Sequence, residues 1–264
     1  FKNKKPIGSI SFTRLLRDIN IFHESVFKLR FDRSSGRTGI NVSLSGVFKE
    51  PFLDSPISNL NANFFYHMLE SSAFNPILYD SGKFIIGAID YNKKWELNNQ
   101  SSLDFGTGIK FSKEFSRIFF TVSTNYSFAK KIKTKIKFYL SDYLLNKNLP
   151  SQYKTFLSGS IDPDFQENIL DRTGKSANFK VLTDFLYDGG PGLRGLILNE
   201  NGNPMYTEKL AWSLRIDQEF PYLPGVLFMD FGGLSEYEDV FISLGFHLGP
   251  LIIPVYQSWE ISNN

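Results

Sequence analysis

Apolar and polar residues alternate along most of this chain. In Phe27-Lys28-Leu29-Arg30-Phe31-Asp32 every second residue is apolar and the others are charged. Ser34-Ser35-Gly36-Arg37 reads as a turn, after which Ile40-Asn41-Val42-Ser43-Leu44-Ser45 resumes a strict alternation. Leu60, Ala62, Phe64, Tyr66 and Met68 share one face of the next segment, and Phe105, Thr107, Ile109 and Phe111 share one face of a later one. The clearest pair follows. Arg117–Phe128 sets Ile118, Phe120, Val122, Thr124, Tyr126 and Phe128 against Arg117, Phe119, Thr121, Ser123, Asn125 and Ser127. Lys131–Leu140 sets Ile132, Thr134, Ile136, Phe138 and Leu140 against Lys131, Lys133, Lys135, Lys137 and Tyr139. Successive side chains of a strand point to opposite faces, so this period predicts strands with one apolar and one polar face. No stretch of comparable length carries a helical apolar stripe, and the chain is expected to be all-β.

The alternation is less clean over Lys83–Trp95 and lapses over 147–176, where Pro150, Gly159, Pro163 and Gly174 interrupt it. That stretch reads as a long loop with one short strand near Phe156–Ile161. Patterning returns at Ala177–Tyr187, Leu193–Leu198, Tyr206–Phe220, Gly225–Phe231, Val240–Leu248 and Leu251–Trp259. Asn201-Gly202-Asn203-Pro204 and Gly249-Pro250 are turn chemistry. The tally is about 13 to 15 strands in meandering antiparallel hairpins.

Two architectures fit so many strands. One is a soluble sandwich or barrel with a buried face per strand, which the period alone equally allows. The other is a transmembrane barrel of about 12 to 16 strands, lipid on one face and a polar interior on the other. The long strands, the wholly polar faces and the aromatic content (27 Phe, 12 Tyr and 3 Trp) favour the barrel. Tyr126, Tyr139, Tyr206 and Trp259 are expected to supply its aromatic girdles. Residues 1–264 then form a single barrel domain, with strand-like patterning beginning so soon after Phe1 that the segment reads as part of a longer polypeptide.

Composition removes other functions. The chain has no cysteine and a net charge of only +2, so it offers no disulfide framework or thiolate chemistry and no case for nucleic acid. It lacks His-Glu-x-x-His, Gly-x-Ser-x-Gly and Walker-type motifs. His23, His67 and His247 are far apart and read as wall residues, while Asp162, Asp164 and Asp171 read as a solvated loop rather than a calcium site. No catalytic residue, metal or cofactor is expected. The ladder Lys131, Lys133, Lys135, Lys137 is the unusual charge feature. Facing a lumen it favours anions; near strand ends it could meet lipopolysaccharide phosphates; a solvated face is the plain alternative.

The last feature is Asp188-Gly189-Gly190-Pro191-Gly192-Leu193-Arg194-Gly195-Leu196, a glycine-rich tip with one arginine. Gly189-Gly190-Pro191-Gly192-Leu193-Arg194-Gly195 resembles the Gly-Gly-x-x-Leu-Arg-Gly element of the bacterial surface antigen superfamily, the outer-membrane barrel of the assembly factor BamA and its relatives. Val226–Gly232 is similar to that superfamily's Phe-x-Asp-x-Gly strand, and Phe241–Tyr256 to its closing Gly-Pro-Leu hairpin. The resemblance covers 186–259. It implies that loop 188–198 folds into the lumen, carrying Gly189, Gly190, Gly192, Arg194 and Gly195, and that Arg194 meets the wall carboxylate Asp230. The superfamily often has Glu where this chain has Ser213; Asp217, on the same face as Ser213 and Arg215, is the candidate substitute. The resemblance further implies a bacterial outer-membrane location among lipid and lipopolysaccharide. Its implied role is the assembly or translocation of proteins, with client outer-membrane proteins or periplasmic accessory proteins as partners. Two other roles stay open: the barrel anchor of a fused aminopeptidase N-like metallopeptidase, suggested by Gly159–Phe165 and Asp171–Gly174, and a passive anion-favouring channel.

Overall fold

The computed structural model describes residues 8–17, 19, 21–34, 37–48, 57–70, 80–128, 132–157, 191–194, 205–248 and 251–258. They are all-β. Eight consecutive strands open the fold: β1 (Gly8–Leu16), β2 (Phe22–Ser34), β3 (Arg37–Phe48), β4 (Ile57–Leu69), β5 (Gly82–Asn98), β6 (Ser101–Phe111), β7 (Phe115–Phe128) and β8 (Ile132–Asn146). Two short strands follow, β9 (Thr155–Phe156) and β10 (Tyr206–Thr207), and then β11 (Ala211–Glu219), β12 (Val226–Leu234), β13 (Phe241–Leu248) and β14 (Leu251–Ser258). Twelve of these join in one antiparallel sheet in chain order, with β8 pairing directly to β11; β9 and β10 pair only with each other. The sheet is open between β1 and β14 among the described residues.

The register aligns the apolar positions of neighbouring strands. One row runs Leu60, Tyr91, Thr107, Phe120, Leu140, Trp212 across β4 to β8 and β11. Another runs Phe105, Val122, Phe138, Leu214, Phe231, Ile242 across β6 to β8 and β11 to β13. This apolar face is bare: Phe64 is 49% exposed, Ile85 57% and Phe128 60%. The opposite face is polar toward one end, where the Asn61 amide donates to Asp90 at 2.6 Å and the Ser123 hydroxyl to Asp104 at 3.4 Å. Toward the other end it carries the buried core. There Phe65, Phe84, Ile86 and Phe115 pack beneath Leu149, Tyr153 and Phe156, which arrive from the segment after β8. The distribution is the reverse of a soluble half-buried sheet, whose apolar face is the covered one.

Several expectations need correction. β1 and residues 22–26 of β2 precede the first strand read from the sequence. Tyr206–Phe220 is two strands, separated by a turn at Glu208–Leu210, and Leu193 and Arg194 belong to no strand. Of the proposed strand at 156–161, only Phe156 is described as one. Of the expected girdle, Tyr126 lies on the apolar face at 46% exposure. Tyr139 is instead buried on the opposite face, and Tyr206 belongs to β10, its ring 5.7 Å from Phe156. Trp259 and the strand expected at 177–187 lie outside the described residues. Of the loop placed at 147–176, residues 147–157 are described and form the packed segment above.

Candidate functional site: an arginine pinned to the polar face

The site begins where β8 ends. Pro150 turns the chain into a single 3-10 turn, Ser151–Tyr153, which Asp80 holds from outside: the Ser151 amide donates to the Asp80 carboxylate at 2.8 Å, and the Asp80 amide donates to the Gln152 side-chain oxygen at 3.0 Å. Tyr153 is thereby driven onto the sheet. Its ring stacks on Phe115 at 5.2 Å and meets the edge of Phe84 at 6.0 Å, and its carbonyl accepts the Tyr143 hydroxyl at 2.6 Å. Lys110, buried beneath, places its ammonium 5.6 Å from the same ring, a cation–π contact strengthened by desolvation. Arg117 donates to the Thr155 hydroxyl at 3.3 Å. Residues 149–157 thus cover the polar-bearing face of β4 to β8 at one end.

The same segment positions the arginine loop. The Leu157 amide donates to Met205, and the Leu193 amide donates to Leu157, each at 3.0 Å, so the tip continues the β9–β10 ribbon by one contact. Leu193 is then buried with Leu157, Met205, Ala211, Leu234 and Phe241. Two glycines make the approach possible. Gly192 adopts φ 60°, the left-handed region other residues avoid. Gly232, on β12, leaves room for Leu193, because a Cβ there would stand 2.5 Å from the leucine methyl.

Arg194 reaches three strands. Its Nε donates to Asp230 Oδ2 at 2.8 Å and its Nη2 to Asp230 Oδ1 at 2.5 Å, a bidentate fork, and its backbone amide donates to Oδ2 at 2.9 Å. Nη1 donates to the Asp217 carboxylate on β11. The guanidinium carbon stands 4.2 Å from the Phe228 ring centroid. The loop backbone is fixed as well: the Ser213 hydroxyl donates to the Pro191 carbonyl at 2.5 Å and the Ser243 hydroxyl on β13 donates to the Arg194 carbonyl at 2.6 Å. Arg194 is 6% exposed and Asp230 is fully buried. Burial disfavours the guanidinium charge, but its bonds to Asp230 and Asp217 outweigh this and hold its pKa above the ordinary value. A buried cation with two carboxylates, an aromatic face and every arm engaged is a fixed structural charge, not a proton carrier or nucleophile.

Of the residues singled out in the sequence, Arg194, Asp230, Asp217, Ser213 and Gly192 come together here. Ser213 and Asp217 divide the work: the hydroxyl binds loop backbone and the carboxylate takes the second guanidinium arm. Gly189, Gly190, Gly195, Lys131, Asp162, Asp164 and Asp171 lie outside the described residues. Lys133, Lys135 and Lys137 lie on the polar-bearing face with Asp217 and Asp230, away from the apolar face that lipid phosphates would approach. On β11, Lys133 pairs with Glu219 at 3.4 Å, Lys135 stands opposite Asp217, which Arg194 also engages, and Lys137 stands opposite Arg215. Sequence reading missed Ser243 and Phe228, although each sits two residues from an inward position and shares its parity. It also missed the whole 149–157 platform.

A scan against protein-family models and a search of curated proteins each return no match for this chain.

Proposed function

We propose that the chain is a β-barrel of the bacterial outer membrane, of the surface antigen type, acting in the insertion or translocation of proteins. The observation that carries this reading is the pairing of a bare apolar face with a loop arginine locked to carboxylates on the opposite face. Backbone polar groups can cross a bilayer only in helices or closed sheets, so a lipid-facing sheet must close, and β1 would meet β14. The band height supports it. On β5 the apolar face runs from Lys83 to Lys93, where the ammonium lies 5.4 Å from the Trp95 ring. That distance is about 33 Å along the strand, or about 25 Å across a bilayer at the usual barrel tilt.

A protein-handling role rests on the resemblance of 186–259 and on the β1–β14 seam, whose strand edges are the natural acceptors for a client strand. A second reading has its own support: residues 149–157 cover the polar-bearing face of β4 to β8 at one end, which suits a static anchor for a domain elsewhere in the polypeptide. An anion channel gains little, because Glu219 pairs with Lys133 and residues 149–157 cover one end of the polar-bearing face. The decisive assay is the folding rate of a urea-denatured outer-membrane protein into vesicles with and without the reconstituted chain. Acceleration supports assembly; identical rates with a properly inserted chain remove it and leave the anchor.

A further inference from the structure

The apolar face is not uniform. Between β3 and β6 it is indented by a groove of about 740 Å³ lined by Leu44, Ala62, Phe64, Ile85 and Phe111. The small residue Ala62 lowers its floor beside the Phe64 ring, and the Phe111 ring, which lies over Gly87 where a Cβ would collide with it, forms the opposite wall; Phe64, Gly87 and Phe111 share a register row with Val42. The groove does not end in apolar residues. At the end where β4 passes to β5 and β6 passes to β7 it terminates at Lys83 and Lys113. The Lys113 turn is set by the backbone amides of Glu114 and Phe115, which donate to the Ser112 hydroxyl at 3.0 and 3.2 Å. Glu114 also lines this end and lies 3.4 Å from the Lys113 ammonium, but Lys113 is exposed, and a pair with so exposed a partner contributes little.

We infer that this groove binds one phosphorylated membrane lipid, with an acyl chain along Ala62, Phe64 and Ile85 against the Phe111 ring and the headgroup phosphate on Lys83 and Lys113. The inference rests on the membrane reading above. An apolar trough opening to lipid is filled by a lipid chain, and the two lysines select which lipid. From Lys83 to Ile89 the groove runs about 20 Å along β5, enough to carry a chain through one leaflet of about 15 Å. The lysines lie at the end of the long 70–81 and 147–210 connections, the side that faces outward in barrels of this kind. This places the bound lipid in the outer leaflet.

The test is native mass spectrometry of the chain released from vesicles of phosphatidylcholine doped with phosphatidic acid. The expected result is preferential retention of phosphatidic acid. Lys83→Glu or Lys113→Glu should lower retention by at least about fivefold each, from about 1 kcal/mol per basic residue at a membrane surface. Ala62→Trp, which fills the groove without touching the charges, should abolish it, and Lys135→Glu on the opposite face should leave it unchanged. Equal retention of both lipids, or retention unaffected by the groove variants, overturns the inference while leaving the barrel intact. A chain that does not enter vesicles at all overturns both.

Discussion

Arg194 and Asp230 form a closed, bidentate ion pair across thirty-six residues of sequence, with Nε–Oδ2 at 2.8 Å and Nη2–Oδ1 at 2.5 Å. Because Asp230 is fully buried and Arg194 nearly so, removing either partner strands a charge. Arg194→Ala or Asp230→Asn should cost about 3–5 kcal/mol, lowering the temperature at which gel mobility shifts to the unfolded form and opening the loop to protease. Arg194→Lys should rescue little, since an ammonium cannot span Asp230 and Asp217 together. A paired Arg194→Met, Asp230→Leu variant should lose clearly less than the two single losses added. Unchanged mobility and unchanged loop cleavage in Arg194→Ala would remove the lock.

Leu193 is the loop's apolar anchor, and Gly232 is the space it needs. Gly232→Val places a branched side chain where Leu193 now sits, at a cost of about 1–3 kcal/mol, and should expel the tip while leaving the Arg194 partners chemically intact. The check is hydrogen exchange at the Leu193 amide, which should lose protection. Retained protection would mean that the tip is held by Arg194 alone.

Tyr153 joins the 149–157 platform to β5, β7 and β8 through its ring and its carbonyl. Tyr153→Ala should cost about 3–5 kcal/mol, the range for truncating a large buried aromatic. The loss should propagate to Arg194, because the Leu193 amide bonds to Leu157 at the end of that platform. Protease cleavage near Arg194 in Tyr153→Ala tests this; a tip unaffected by the change would separate the two.

The platform carries an ionic latch at its rim. Lys154 lies 2.8 Å from Glu208 and 4.2 Å from the Tyr206 ring. Burial opposes both charges, but the hydrogen bond between them prevails, holding Glu208 below the ordinary carboxylate pKa and Lys154 above the ordinary lysine pKa. The latch is therefore complete at neutral pH. It is lost in acid as pH falls through the lowered Glu208 pKa, and in alkali as pH rises through the raised Lys154 pKa. The protection factor of the Leu157 amide, its exchange taken relative to the intrinsic rate at each pH, should fall at both extremes in the native chain, and Glu208→Gln should flatten the acid limb. An acid limb unchanged in Glu208→Gln would assign the effect to other groups.

How much of this was legible in the sequence follows from what period 2 can encode. The parity of Arg117–Phe128 and Ile132–Leu140 assigned each residue there to its face, since a strand's faces are a local property. The tip arginine and Asp230 were legible through a local motif and a resemblance. The platform was not. Tyr153, Phe156 and Leu157 follow neither strand nor helix spacing; the burial of Tyr153 and Phe156 is decided by Phe84 and Phe115, strands away, and that of Leu157 by Leu193, Met205 and Phe241. Tyr139 misled for a related reason: a tyrosine near a strand end suits a girdle, but its parity placed it with Lys137, on the face that the loops cover.

The central claim is that the face bearing Ile118, Phe120, Val122, Thr124, Tyr126 and Phe128 meets lipid. Nitroxide labels placed singly along Arg117–Phe128 of the membrane-reconstituted chain test it most directly, by comparing collisions with lipid-soluble oxygen and with a water-soluble nickel chelate. The account predicts oxygen access at the even positions and lower oxygen access at the odd ones, alternating along the strand. Even positions open to the nickel chelate, or shielded from both reagents, would contradict it.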